Sequence, residues 1–264
     1  MKLKLVAVSI FLMVAFSVAV SAKNELSSGD FKIPKGARQI SDDVYDLGES
    51  LDGGQVVHGY MFVHKNAKSS GSVQKGAARS TCYSFLASGA KWKATEKYAV
   101  NSFNLDGMSD SFVKSNVALA LDSWDNQVSF KIFGARDDSI SVDGADSVSP
   151  DGKNEFLFGA ISEPGVIAVT TVWGNFGGAP KSRQLVEFDA LFDDAEFNWG
   201  DATQNSAFMD FLNIAVHELG HAAGMGHPSN SCTEESMYAY ASEGETKKRT
   251  LNPGDIAGIK ALYK

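Results

Sequence analysis

Val216-His217-Glu218-Leu219-Gly220-His221-Ala222-Ala223-Gly224-Met225-Gly226-His227 holds three of the five histidines of a 264-residue chain. His217 and His221 lie four apart, so on a helix they stand one above the other on the same face. Two imidazoles placed this way can each turn a ring nitrogen toward one metal ion about 2.1 Å away. Glu218 sits one step around that helix, is not needed as a ligand, and is free to take a proton from water. A continued helix would carry residue 227 away from the ion. Gly224 permits a sharp turn, because glycine enters left-handed backbone geometry without steric cost. Gly226 adds slack, and His227 swings back as the third ligand. Three protein ligands and an open fourth position are the catalytic arrangement of zinc, as opposed to a closed structural site. The alternative is an amphipathic helix that carries histidines by coincidence, and three within residues 217–227 at this spacing argue against it. The other two, His58 and His64, fall in or near one strand and read as surface or core histidines.

Around the motif the pattern is that of one α/β domain. Asp210 is placed to cap a helix running to Ala223. Val113, Val117, Leu121 and Trp124 recur at helical spacing and predict a helix from about Asp110 to Trp124. Asn252 followed by Pro253 marks the start of a last helix that turns Ile256, Ile259 and Leu262 inward. Strands are expected at Tyr98–Phe103, Phe156–Phe158, Ile167–Trp173 and Leu185–Phe192. Val128, Phe130 and Ile132 alternate with polar residues and predict a further strand there.

The chain opens with MKLK, an apolar run from Leu5 to Val20 and a small-residue exit at Val20-Ser21-Ala22. That order is a secretory signal peptide spanning residues 1–22, and the protein is expected to be secreted. The whole chain carries a net charge of −8, and loss of the signal makes the balance more acidic. Such a surface argues against nucleic acid or, once the signal is removed, a membrane as partner. Residues 23–80 are polar and turn-rich, with one strand candidate at Val56–Val63. They read as a pro-segment or N-terminal accessory region, followed by the domain 81–264. Asn66–Ser72 has linker composition, and the basic stretch 75–80 offers a cutting site. Cys82 and Cys232 are the only cysteines. In an exported chain they read most simply as one disulfide, with two separate buried thiols as the alternative.

His-Glu-x-x-His-x-x-Gly-x-x-His is the signature of the metzincin metallopeptidases, and the sequence resembles their matrixin branch. Ser236-Met237-Tyr238 stands where that group carries a turn methionine. Asp255-Ile256-Ala257-Gly258-Ile259-Lys260-Ala261-Leu262-Tyr263 is similar to the matrixin closing helix. Phe192-Asp193-Asp194-Ala195-Glu196 with Trp199 resembles the segment after the fifth strand. The likeness covers roughly residues 95–264. It implies a zincin-like α/β (α+β) fold: a twisted mixed five-stranded sheet, an active-site helix and a C-terminal helix. It also implies a secreted, monomeric endopeptidase acting on protein or peptide substrates, with one catalytic zinc. Glu218 would be its general base, Met237 would floor the site, and Tyr238–Tyr240 would wall a substrate pocket. Ile167–Trp173 would be the open edge along which a substrate strand lies. Asp193 and Glu196 match calcium ligands of the family. Val169 and Leu191 stand where the family has histidines for a second, structural zinc, which is therefore not expected. The competing function is a secreted binding protein on an inactive metzincin scaffold, against which the retained Glu218 speaks.

Overall fold

A computed structural model describes residues 30–68 and 81–264. The signal peptide, most of the linker and the basic stretch 75–80 lie outside the described residues. The main sheet contains β1 (Arg38–Ser41), β2 (Val44–Asp52), β3 (Gln55–Asn66), β4 (Glu96–Val100), β5 (Phe133–Arg136), β6 (Glu155–Gly159), β7 (Val166–Asn175), β8 (Gln184–Asp193) and β9 (Tyr240–Ala241). The helices are α1 (Asp110–Asp125), α2 (Phe211–Ala222) and α3 (Pro253–Leu262).

Strand order is β1-β2-β3-β7-β8-β6-β4-β5, with the short β9 paired to β3. The five strands from β7 to β5 are the mixed sheet that the resemblance implies. β4, β5, β6 and β8 run parallel to one another, and β7 is antiparallel to β8. Along β8, Phe188, Ala190 and Phe192 face the main core, where they meet Ile214, Ala215 and Leu219 of α2. Each such fully buried large apolar side chain contributes about 1.5–3 kcal/mol. α1 backs α2, and Trp124 Nε1 donates to Val216 O at 2.8 Å, tying the two helices across the motif.

The helix starts and stops where side-chain chemistry dictates. Asp210 Oδ1 accepts from Asn213 N at 2.9 Å, and Arg249 Nε holds the same oxygen at 2.8 Å. At the other end Gly224 has φ +98°, and a Cβ there would stand 2.9 Å from Ala90 O, so a side chain is excluded twice over. α3 opens with a capping box between Asn252 and Asp255 and with Pro253 in its first turn.

Three sequence expectations are corrected. Residues 128–132 are not a strand. The strand begins at Phe133, because Asp125 Oδ1 accepts the N–H groups of Ile132 and Phe133 and holds the chain in a turn. The alternation there records Val128 and Phe130 leaning on the core from a loop. The strand expected at Tyr98–Phe103 ends at Val100. Most consequential, Ile167–Trp173 is not an open edge. β3 pairs antiparallel with β7 from His58↔Gly174 to Lys65↔Val166, so the polar N-terminal region adds three strands to the sheet.

Cys82 and Cys232 form a disulfide across 150 residues of chain, with Cα atoms 5.6 Å apart. It fastens the start of the domain to the segment between His227 and Met237. Replacing both cysteines by serine is expected to cost about 2–5 kcal/mol in denaturant unfolding, since loops this long lose much denatured-state entropy on closure. An unchanged midpoint would mean the link is energetically idle.

Candidate metal centre and active site

The structure brings His217, His221 and His227 together. Their Nε2 atoms lie 3.2 Å (217 to 221), 3.1 Å (217 to 227) and 3.0 Å (221 to 227) apart. Every Nδ1 faces an oxygen instead. His217 Nδ1 bonds Ser236 O at 2.6 Å, His221 Nδ1 bonds Met225 O at 2.9 Å, and His227 Nδ1 lies 2.7 Å from Asp43 Oδ2. Nδ1 of His217 and of His221 is therefore the protonated nitrogen, and the three Nε2 atoms converge on one point. Burial presses the pKa of His217 and His221 well below the ordinary histidine value, which keeps them neutral. An ion about 2.1 Å from each nitrogen fits above this triangle, so the donor set suits zinc.

Met237 lies against the helix from below. A Cβ on Gly220 would fall 2.1 Å from Met237 Sδ and 2.6 Å from the Trp124 ring, so only glycine lets the helix settle there. Asp255 fixes the methionine turn by accepting from Ser236 N at 2.7 Å and Met237 N at 3.2 Å.

Glu218 is fully buried. Thr170 Oγ1 donates to its Oε2 at 2.6 Å, and His64 Nδ1 lies 3.0 Å from its Oε1. Burial pushes the Glu218 carboxyl up to about 8, with the Thr170 bond and the nearby Lys248 acting against the rise. His64 sits over His217 with ring centroids 3.8 Å apart, and its Nε2 lies 3.2 Å from Lys248 Nζ. Lys248 is itself fully buried, and its ammonium also donates to Tyr238 O. Phe62 stacks on His221 at 4.0 Å.

β3 thus fills the groove in front of the histidines. It is antiparallel to β7 on one side and parallel to β9 on the other, through Lys65↔Tyr240 and Asn66↔Ala241. Beside His227 a cavity of about 720 Å³ remains between residues 40–44, the segment Ser84–Leu86 and Tyr240. Asp43, Phe62, His64, Thr170 and Lys248 were not singled out as site residues by sequence reasoning. The two histidines of β3 were noticed and read as structural, although only His58 stays outside the site, paired to Asp46 at 2.6 Å.

Asp193 and Glu196 tie down a loop. Asp193 Oδ1 accepts from Ile161, Ala195 and Glu196 N, and Glu196 Oε2 accepts from Gly165 N. Val169 and Leu191 pack with Met61, Val63, Ile161 and Val166 in a small apolar cluster. A different acidic group, Asp146, Glu187 and Asp189, gathers ligand oxygens within 4.8 Å of one another beneath the loop that precedes β6. Asp146 Oδ2, Glu187 Oε1 and Asp189 Oδ1 are buried without a hydrogen-bond partner.

A histidine pair on a helix, a third histidine returned by a glycine turn and a methionine beneath them form an arrangement of the metzincin type. The matrixin family model matches residues 91–264, and the chain belongs to that family. Human matrilysin is 41% identical over 75 residues, covering 28% of this chain and 26% of its own length. Human matrix metalloproteinase-19 is 40% identical over 72 residues, 27% of this chain and 13% of its own. Metalloendoproteinase 4-MMP of Arabidopsis thaliana is 36% identical over 63 residues, 24% and 18% respectively. The alignments thus span about a quarter or less of these relatives.

Proposed function

We propose that the protein is a secreted zinc endopeptidase made as a latent precursor, with residues 23–80 as its pro-segment. The observation that carries the latency is the placement of β3, whose His64 occupies Glu218 while its backbone takes up the edge of β7. Membership of a peptidase family and the convergent Nε2 atoms support the activity. Among the described residues no helix is long and apolar enough to cross a membrane.

His217, His221 and His227 would hold zinc, which supplies Lewis-acid chemistry by acidifying water and polarising a carbonyl. Glu218 accepts the proton of the attacking water and passes it to the leaving amine. Thr170 orients that carboxylate from one side. The carbonyls of Ser236 and Met225 hold the rings of His217 and His221 in their ligating tautomer, while Asp43 lies beside His227 only as long as the pro-segment is in place. The freed edge of β7 offers backbone hydrogen bonds to an extended peptide.

Purified protein is expected to carry one zinc per chain. Once cut between residues 69 and 80, it should hydrolyse internal bonds of unstructured peptides, stop on chelation and resume with zinc. Two zinc ions per chain would mean a structural site exists despite Val169 and Leu191. A zinc-loaded, cut chain that cleaves nothing would restore the inactive-scaffold reading.

Calcium, which the resemblance assigned to Asp193 and Glu196, finds a fuller oxygen set at Asp146, Glu187 and Asp189. Burial pushes Glu187 up to about 8, Asp146 to about 6 and Asp189 well above the usual carboxylate range, with neighbouring carboxylates adding to the rise. Carboxyls whose folded pKa is raised stabilise the fold at low pH, and that stability is lost as pH climbs from about 4.5 through about 8. Zinc-loaded protein without calcium should therefore melt about 5–10 °C lower at pH 8 than at pH 5. Calcium should remove most of that fall, and Asp189→Asn should remove the calcium response. Melting that ignores both pH and calcium would sink the assignment.

A further inference from the structure

The strand in the groove shows what kind of side chain the neighbouring pocket accepts. β3 enters with the partners of an extended ligand, antiparallel to β7 and parallel to β9, with Ala67 N donating to Ala241 O at 2.8 Å. Of its two rings packed on the zinc-motif histidines, Phe62 and His64, His64 is the more buried, with 1% of its surface exposed. The imidazole is stacked on His217, touches Glu218 through Nδ1 and meets Lys248 through Nε2. The pocket that receives it therefore adjoins the reacting centre.

Its floor is the buried Nζ of Lys248. Lys248 is held from its own backbone, where Asn213 Oδ1 accepts from Lys248 N at 2.7 Å and Ser236 Oγ donates to Lys248 O at 3.1 Å. It cannot swing out to solvent without unravelling that turn. Apart from His64, the one oxygen bonded to its Nζ in the described structure is Tyr238 O. Withdrawal of β3 takes away one acceptor and leaves the Lys248 donor short of a protein partner, which an acceptor on a bound substrate would restore.

We propose that Lys248 is a specificity-determining residue. In the active peptidase the pocket vacated by His64 takes a substrate side chain that ends in an acceptor at the reach of imidazole Nε2, so glutamate, glutamine or histidine, in preference to an aliphatic chain of equal size. Aspartate and asparagine fall roughly one bond short. The inference rests on the endopeptidase reading and names the substrate class that reading leaves open. A site built to hydrogen-bond a substrate group rejects the analogue lacking it far more strongly than it rejects a missing methylene.

The test is cleavage-site profiling of the zinc-loaded protein, cut within residues 69–80, on a random peptide library. The expected result is one position adjoining the scissile bond at which Glu, Gln or His exceeds Leu by about tenfold to hundredfold in kcat/KM. Lys248→Met should reverse that order while peptides carrying Leu are still cut. A wild-type preference for Leu at both flanking positions would overturn the proposal while leaving the peptidase reading intact. So would retention of the acceptor preference in Lys248→Met. If that variant fails to fold, the wild-type profile alone decides. Absence of cleavage of every peptide would bring down the endopeptidase reading and this inference with it.

Discussion

Glu218→Gln is expected to lower peptide hydrolysis by about 10²–10⁴-fold or more while the chain keeps one zinc and its melting temperature. The expectation follows from a division of labour within one helical turn. His217, His221 and His227 supply the three convergent Nε2 atoms, and the first two rings are oriented by the carbonyls of Ser236 and Met225. Glu218 contributes nothing to that triangle. Its oxygens meet Thr170 and His64, and glutamine preserves the shape and can still accept from Thr170 Oγ1. What glutamine cannot do is accept the proton of an attacking water. Alanine at any of the three histidines should by contrast lose zinc and activity together. A Glu218→Gln enzyme that cleaves at the wild-type rate would remove this residue from the mechanism.

Severing the chain between residues 69 and 80 is expected to raise peptide hydrolysis by at least about a hundredfold, because β3 and substrate compete for one strand edge. The uncut chain should be nearly silent even when fully loaded with zinc. A substitution that loosens β3 should give the same activity without a cut. Gly59 is suited to this, since a Cβ there would stand 2.8 Å from the Trp173 ring on β7. Gly59→Val should therefore push β3 off its partner and make the uncut chain measurably active. Full activity in uncut wild-type protein would show that β3 does not guard the site.

The zinc motif, the three helices and most of the domain's strands were legible in the sequence because their signals are local. Asp210 caps one helix and Asn252-Pro253 opens another, while Val113, Val117, Leu121 and Trp124 mark a helical face. The N-terminal region was far less legible. β2 was missed because Gly48, at φ +86°, sits in a bulge that breaks the alternation between Tyr45 and Leu47 on one side and the rest of the strand. A usable signal was present in Asp52-Gly53-Gly54, where two glycines of positive φ make the tight turn from β2 into β3.

The partners of the site were hidden for another reason. Lys248 lies in Glu245-Thr246-Lys247-Lys248-Arg249-Thr250, a run that reads as solvated surface, yet it is fully buried. His64 contacts Glu218 across 154 positions of sequence and Lys248 across 184. No periodicity within β3 encodes such distant partners. Phe62 gives no local sign that it will cover His221 either.

If the proposed activation cut occurs, the link between Cys82 and Cys232 fixes where its two products go. It fastens the domain's own beginning to the wall of the site, and the hairpin that precedes residue 69 has no such tie. While the chain is whole, a short connection keeps β3 at an effective concentration near the millimolar range. After the cut the hairpin is a separate molecule, retained by its contacts alone. On the proposed reading, latency would then become an ordinary binding equilibrium, complete at high concentration and released by dilution. A freshly cut sample should accordingly show specific activity that climbs as it is diluted, and it should fall again when excess hairpin peptide is returned.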